Sequence, residues 1–224
     1  MTTQSESGSG RKPQGDYERF RAFDPATVHE AAGKVGMVDP AIRPGWMGAK
    51  VVGSAFTVEC HPGDNLMLHA AVTAARPGDV IVATTGSHTL AGAWGEVLAV
   101  AALHRGIAGL VIDGAVRDIN AIRQLDFPVF SRGFAIGSCT KTHVGTIDRP
   151  INLGGVRVHS GDLVLGDDDG LVIIGSDRLE EVYRKAKERQ ETEGKILTQL
   201  REGRTTLELF GLTEILARED VSEE

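Results

Sequence analysis

The 224-residue chain has little cysteine. There are two, Cys60 and Cys139, far apart and outside any Cys-x-x-Cys motif. That argues against a disulfide framework or a thiolate zinc site and fits a reducing, cytoplasmic compartment. No apolar run reaches the ~18 residues that mark a membrane-spanning helix. The opening stretch MTTQSESGSGRKPQG lacks the apolar segment of a secretory signal. Positive charge is scarce as well: 24 Lys and Arg stand against 31 Asp and Glu, a net charge of -7. Nucleic acid is therefore not expected as the main partner, because phosphate binding needs a basic surface. A small anion in a local basic pocket is not excluded. The histidines at 29, 61, 69, 88, 104, 143 and 159 show neither His-x-His nor His-x3-His spacing, so a histidine zinc site is not expected. The chain has no Gly-x-Ser-x-Gly elbow, no P-loop, no glycine-rich methyl-donor motif after its first strand and no internal repeat.

What is present is an ordinary globular composition, 41% hydrophobic and 25% charged, long enough for one sizeable core. Residues 1–15 read as a disordered tail of Ser, Gly and Gln with almost nothing to bury. A single domain is expected over 16–212, followed by an acidic tail over 213–224. FDPATVHEAAGKVG (23–36) predicts a short helix with Pro25 in its first turn and Gly33 and Gly36 at its end. AKVVGSAFTVEC (49–60) predicts a strand, PGDN a turn and LMLHAAVTAA (66–75) a helix. VIVATT (80–85) predicts a strand, GSHTLAGAW a loop, and GEVLAVAALHRGI (95–107) a helix closed by Gly106. AGLVIDG (108–114), VRDINAIRQL (116–125) and FPVFSRG (127–133) continue as strand, helix and strand. This alternation implies parallel strands covered by helices. Residues 155–174 turn to strand–turn–strand patterning, which implies antiparallel pairing. A long helix is expected over 176–203 with Ser176 as N-cap. Its apolar residues thin out after Ala186, so its far half is exposed or docked on another subunit.

Four stretches invite a chemical interpretation. In AGAWGEVLAV, Gly92 and Gly95 precede a helix, where small residues let backbone amides approach an anion. Arg117 and Asp118 follow a strand, at the kind of edge where open α/β sheets bind ligands. Neighbours on a helix do not share a face, so the two are expected to address different atoms rather than each other. Arg suits a carboxylate or enolate, and Asp suits Mg²⁺ or Mn²⁺. Taken alone, this pair would read as a solvated helix start. Glu96 tips the balance, because it opens the helix after the neighbouring strand, and consecutive parallel strands usually lie side by side. Glu96, Arg117, Asp118 and the Gly95 backbone could thus converge on a pocket suited to metal-assisted chemistry next to a carbonyl. GDDDG (166–170) reads as a hairpin turn rather than a calcium loop. Asp64, Asn65 and His69 read as a turn and a helix start, and Cys60 and Cys139 as core or neutral surface.

GDNLMLHAAV, RPGDVIV, GAWGEVLAVAALHRGIAGLVIDGAVRD, FPVFSRG and GDLVLGDDDGLVII together resemble the RraA-like superfamily. Within it the likeness is to class II pyruvate aldolases acting on 4-hydroxy-4-methyl-2-oxoglutarate and 4-carboxy-4-hydroxy-2-oxoadipate in the breakdown of aromatic acids. It extends over roughly 25–212, and its most specific part is an acid, twenty intervening residues, then Arg-Asp: Glu96 and Arg117-Asp118. The family's aldolases usually carry Asp at the first of these positions, and Glu96 is one methylene longer. The resemblance implies an α/β layered domain with a β-sandwich-like centre, flanking helices and a long C-terminal helix, assembled as trimers or hexamers. It implies that Asp118 holds the divalent metal, Mg²⁺ or Mn²⁺, and that Arg117 holds the 2-oxo group and the pyruvate enolate. Gly95, Glu96, Val97 and Leu98 would offer backbone amides to the substrate carboxylate, and Glu96 would orient a water on the metal. A further acid would reach in from a neighbouring subunit's C-terminal helix, Glu193 or else Glu191. The activity implied is release of pyruvate from a 4-hydroxy-2-oxo acid, with oxaloacetate decarboxylation beside it. The superfamily also implies an alternative, a non-enzymatic protein that binds and inhibits an RNA-degrading endonuclease.

Overall fold

The computed structural model describes residues 14–218. The expected N-terminal tail up to residue 13 and the last six residues of the expected acidic tail lie outside the described residues. The chain opens with α1 (Gln14–Glu18), a 3-10 turn and α2 (Pro25–Ala31), which begins on Pro25 as expected. The short β1 (Arg43–Pro44) and β2 (Val51–Glu59) follow, then α3 (Leu66–Ala74) and β3 (Asp79–Trp94). Next come α4 (Glu96–His104), β4 (Gly109–Val116), α5 (Ile119–Gln124) and β5 (Val129–Phe134).

The strands β2, β3, β4 and β5 are parallel and adjacent in chain order, the arrangement implied by their alternation with helices. Beyond them lie β6 (Thr146–Ile147), the ribbon of β7 (Ile151–Leu153) and β8 (Val156–Val158), and the hairpin of β9 (Leu163–Asp167) and β10 (Gly170–Ile174). The hairpin joins the other side of β2 antiparallel and closes an eight-stranded sheet in the order β1-β5-β4-β3-β2-β9-β10, with β6 also on β2. Asp167 faces Gly170 across the turn, so GDDDG is a two-residue hairpin loop.

Side chains alternate across a strand, and this period sorts the core into layers. Phe56, Ile81, Leu110, Ile112 and Val129 face one side and pack on Leu68, Leu98 and Ile122 of α3, α4 and α5. On the same side, Leu163, Leu165, Val172 and Ile174 meet α1, α2 and the long helix α6 (Leu179–Arg201). Val80, Val82, Val111, Phe130, Val164 and Ile173 face the opposite way, onto Ile151, Leu153 and Val158 of the β7–β8 ribbon. The outcome is three layers: helices, sheet and a small ribbon. Because the central strands are covered on both faces, they read as continuous apolar runs. Each such buried aliphatic contributes about 1.5–3 kcal/mol.

Three local expectations are corrected. GSHTLAGAW is not a loop, because β3 runs through to Trp94 in an irregular extended path. The helix expected from Val116 begins at Ile119, after Asp118 in the left-handed region at φ 57. Ser176 does not cap α6: it opens a separate 3-10 turn, and α6 starts at Leu179 without a side-chain cap. Only Leu179, Val182 and Ala186 of α6 are buried, so its far half is uncovered in the single chain. α7 (Thr206–Leu209) and α8 (Thr213–Arg218) end the described chain, so the start of the expected acidic tail is helical.

Candidate active site

Two chain crossings build one wall of a cleft at the C-terminal edge of β3 and β4. The Arg117 amide donates to the Trp94 carbonyl at 2.8 Å, which fastens the end of β4 to the end of β3. Trp94 is fully buried and stacks on Phe127, so this junction stands on the core. Asp118 then turns left-handed, a conformation that costs a non-glycine residue about 1–2 kcal/mol and that Asp tolerates better than most. The turn sends its carboxylate back to the start of α4, where Oδ2 accepts from the Glu96 amide at 3.2 Å.

Glycine makes this approach possible. A Cβ at Gly95 would lie 2.5 Å from Asp118 Oδ2 and 3.2 Å from Arg117 Nε, and one at Gly92 would lie 2.8 Å from Arg117 Cβ. Both positions demand close approach rather than unusual dihedrals, since Gly95 has an extended backbone. Arg117 and Asp118 were expected to ignore each other, yet Nε and Oδ2 are 3.6 Å apart. The rule of opposite helical faces does not apply, because neither residue is in the helix.

The cleft, about 190 Å³, is lined on this wall by Gly92, Ala93, Gly95, Val97, Leu98, Arg117 and Asp118. The amides of a helix's first turn have no intrahelical acceptor, and their partial positive charge favours an anion. Val97 and Leu98 lie in that turn. Glu96 contributes its amide to Asp118, while its own side chain is exposed and does not line the cleft.

The cleft is also lined by Asn65 and His69, first read as a turn and a helix start, by Cys139, first read as core or surface, and by Ser138 and Lys141, which the sequence reading did not single out. Asp64 does not line it but clasps the loop that does. Its buried carboxylate accepts from Thr140 Oγ1 and the Thr142 amide at 2.7 Å each, from the Leu66 amide at 2.9 Å and from the His143 amide at 3.1 Å. Burial alone would raise this carboxyl, but the donors outweigh it and hold it well below the usual carboxylate range. Burial, then the charge of Lys141, lowers the His69 ring. Burial and the Asp64 charge push the Cys139 thiol up, against Lys141 and Arg117. Cys60, in the core beneath, is pushed up to about 12, mainly by burial. Neither thiol is an activated nucleophile. The sequence offered one signal for this part of the lining, the polar Asp64-Asn65 pair at the start of α3. The loop itself is 76–79 residues away in the chain.

Glu191 and Glu193 lie on the far half of α6 and do not line the cleft. Glu191 is exposed, and Glu193 pairs with Arg189 at 2.9 Å. Among the described residues no group of three or more His, Cys, Asp or Glu converges as a metal cage. The Asp118 side chain, 42% exposed, commits Oδ2 to the protein. It therefore offers one carboxylate at a wet cleft, a donor set that fits a hard divalent ion keeping several waters and not a tetrahedral zinc centre. No described helix is long and apolar enough to cross a membrane.

Comparison with known proteins places the fold. A family model described as Aldolase/RraA matches residues 25–173. A Halalkalibacterium halodurans protein named "Putative 4-hydroxy-4-methyl-2-oxoglutarate aldolase" is 39% identical over 172 residues, covering 77% of this chain and 82% of that protein. Among solved structures, an uncharacterized protein from Pseudomonas syringae pv. tomato superposes with a TM-score of 0.82 at 27% identity, over 95% of this chain and 99% of that one. Streptomyces coelicolor RraAS2, described as an unusual member of the RNase ES inhibitor RraA protein family, gives a TM-score of 0.75 at 26% identity over 85% and 100%. With the family model matched over residues 25–173, about two thirds of the chain, the chain belongs to the RraA-like family.

Proposed function

We propose that the cleft cleaves a 4-hydroxy-2-oxo acid, such as 4-hydroxy-4-methyl-2-oxoglutarate or 4-carboxy-4-hydroxy-2-oxoadipate, to pyruvate and a second oxo acid. The observation that carries this is the junction of Arg117, Asp118 and the α4 N-terminus, held together by Gly92 and Gly95. The aldolase name of the 39%-identical relative supports it. In the reaction the C4 hydroxyl loses its proton and becomes the new carbonyl. The C3–C4 bond breaks, its electron pair forms the pyruvate enolate, and C3 then takes a proton. Asp118 would hold a divalent ion, Mg²⁺ or Mn²⁺, which when bound would supply Lewis-acid polarisation of the 2-oxo group. Arg117 holds the oxygen on which negative charge develops, stabilisation that is strongest in the transition state. The Val97 and Leu98 amides of the first turn of α4 seat the pyruvyl carboxylate, the Glu96 amide being taken by Asp118. Glu96, whose side chain is exposed and outside the lining of the cleft, would act only at a distance, by ordering solvent water for proton transfer. Glu193, or else Glu191, reaches the site from another copy in a trimer or hexamer, in keeping with the uncovered far half of α6. Oxaloacetate decarboxylation passes through the same enolate and is expected as a side activity.

The test is pyruvate release from 4-hydroxy-4-methyl-2-oxoglutarate with Mg²⁺ or Mn²⁺. Activity should vanish with chelator and fall about 10²–10³-fold in Arg117→Ala, as on removal of one donor to a developing oxyanion. Unchanged release in EDTA or in the variant rejects the mechanism. The likeness to RraAS2 supports a second reading, a protein that binds and inhibits an RNA-degrading endonuclease. Capture of the endonuclease with no pyruvate released from any 4-hydroxy-2-oxo acid would favour it.

A further inference from the structure

We propose that Asp113 and Arg132 are positioning residues. Their ion pair fixes the level at which β3 and β5 slip past β4, and so sets where Arg117 and Asp118 enter the cleft. The inference rests on the proposed function only for what the cleft does, not for how its residues are held.

The pair stands where both ladders of β4 lose step. On one side Thr84 faces Asp113 and the next paired residue, His88, faces Gly114. Thr85, Gly86 and Ser87 therefore bulge out of β3. On the other side Ile112 faces Ser131 and Ala115 faces Gly133, so Arg132 alone spans Asp113 and Gly114. The buried Asp113 carboxylate ties the two irregularities together. Its Oδ1 accepts from Arg132 Nε, and its Oδ2 accepts from Ser87 Oγ, inside the bulge, at 3.1 Å. The Asp113 carbonyl accepts from Thr85 Oγ1 at 3.0 Å, an approach that a Cβ at Gly114 would block. Arg132 extends the tie to Asp39, on the loop before β1, at 2.9 Å. Neither Asp113 nor Arg132 lines the cleft. Both border a separate polar depression beside Asn152 and Gly154 of the ribbon, so they act on the cleft through β4.

Stability alone does not account for the pair. Desolvation offsets most of the attraction between two buried charges, so well-packed apolar residues of similar volume do as well. The best-attested use of such groups is to fix a register. An anchor of that kind is needed here. The second half of β3, with Gly86, Gly92 and polar residues between them, has no apolar alternation to hold it. A slip of one residue would turn its side chains to the other face. Gly86 and Ser87 also take left-handed backbone, at φ 65 and 58, which costs Ser free energy that the bond to Asp113 offsets. Beyond the bulge Gly92 meets Ala115, Trp94 meets Val116, and the Arg117 amide reaches the Trp94 carbonyl. Where Arg117 and Asp118 emerge thus depends on how far β3 has slipped, and that is set at Asp113.

The test is amide hydrogen exchange on the full chain, with pyruvate release measured alongside. Asp113→Val/Arg132→Met removes both charges together, so neither is left buried alone. The Arg117 amide should then exchange about 10–100-fold faster, the worth of a hydrogen bond to a charged group. The Leu110 amide, bonded to the Pro128 carbonyl at the regular end, should keep its protection. Pyruvate release should fall about 10–100-fold through misplacement of Arg117 and Asp118. Ser87→Ala, at an exposed residue, removes only the bond to Asp113 Oδ2 and should speed Arg117 exchange about 3–10-fold. It decides by the same comparison if the double variant does not fold. Unchanged exchange at Arg117, or equal acceleration at Arg117 and Leu110, overturns the inference. So does pyruvate release at the wild-type rate from a variant whose Arg117 amide has lost protection. If wild type releases no pyruvate while Arg117 exchange responds as expected, the anchor stands and the aldolase proposal fails.

Discussion

The two ends of the β3–β4 ladder behave differently. From Val80↔Gly109 to Thr84↔Asp113 the strands advance in step, residue for residue. Beyond that, β3 goes from Thr84 to Trp94 while β4 goes only from Asp113 to Val116, with register shifts at each interval. The regular end is apolar and enclosed between α3–α4 and the β7–β8 ribbon. The irregular end delivers Gly92, Gly95, Arg117 and Asp118 to the cleft. Regular pairing maximises burial but points side chains alternately to the two faces, whereas a site needs several groups aimed at one point. Slipping the register re-aims them, as bulges do near active sites.

This contrast can be broken by substitution. At the irregular end, Gly95→Ala puts a methyl group 2.5 Å from Asp118 Oδ2. Displacement of the carboxylate by a fraction of an ångström should cut aldol cleavage about 10–100-fold, with little change in melting temperature. At the regular end the effect should reverse. Ile112→Val removes a methylene from a fully buried site, so it should cost about 0.5–1.5 kcal/mol in urea unfolding and leave activity per folded molecule unchanged. Equal effects of both substitutions on both readouts would dissolve the distinction.

A smaller effect separates the two walls of the cleft. The folded state holds the Asp64 carboxyl below its ordinary 3.8. As pH falls, the unfolded chain takes up the proton first. The stability that the clasp contributes is therefore complete above about pH 5 and fades as pH drops further toward the folded value. Asp64→Asn should be less stable than wild type at pH 7 and should lose less on going to about pH 3.5, measured by urea midpoints. An unchanged slope would mean that the clasp contributes nothing.

Much of the fold was legible because burial is periodic. Parallel strands read as apolar runs such as VIVATT, helices as Ala- and Leu-rich stretches, and GDDDG as a hairpin. The long α6 and its uncovered far half were equally plain from the thinning of apolar residues after Ala186. The second half of β3 was not, because Gly86, Gly92 and the polar residues between them break the alternation that marks a strand. Nor was the helix start at Ile119. The left-handed turn at Asp118 depends on a carboxylate meeting an amide 22 positions earlier, which local propensity does not encode. Arg117, Asp118 and Gly95 could be brought together by strand adjacency alone. The wall with Lys141 could not, since its anchor at Asp64 lies far away in the chain and is recognisable only once the two are seen to pair.

The most direct test of the central claim, that Arg117 stabilises a pyruvate enolate in this cleft, is deuterium uptake into the methyl group of pyruvate. Proton NMR in D₂O with Mg²⁺ would follow it for wild type and Arg117→Ala. Exchange requires the enolate but no cleavage. The account predicts uptake by wild type and a rate lower by about 10²–10³-fold in the variant. Equal rates in the two proteins, or no uptake by metal-loaded wild type, would contradict it.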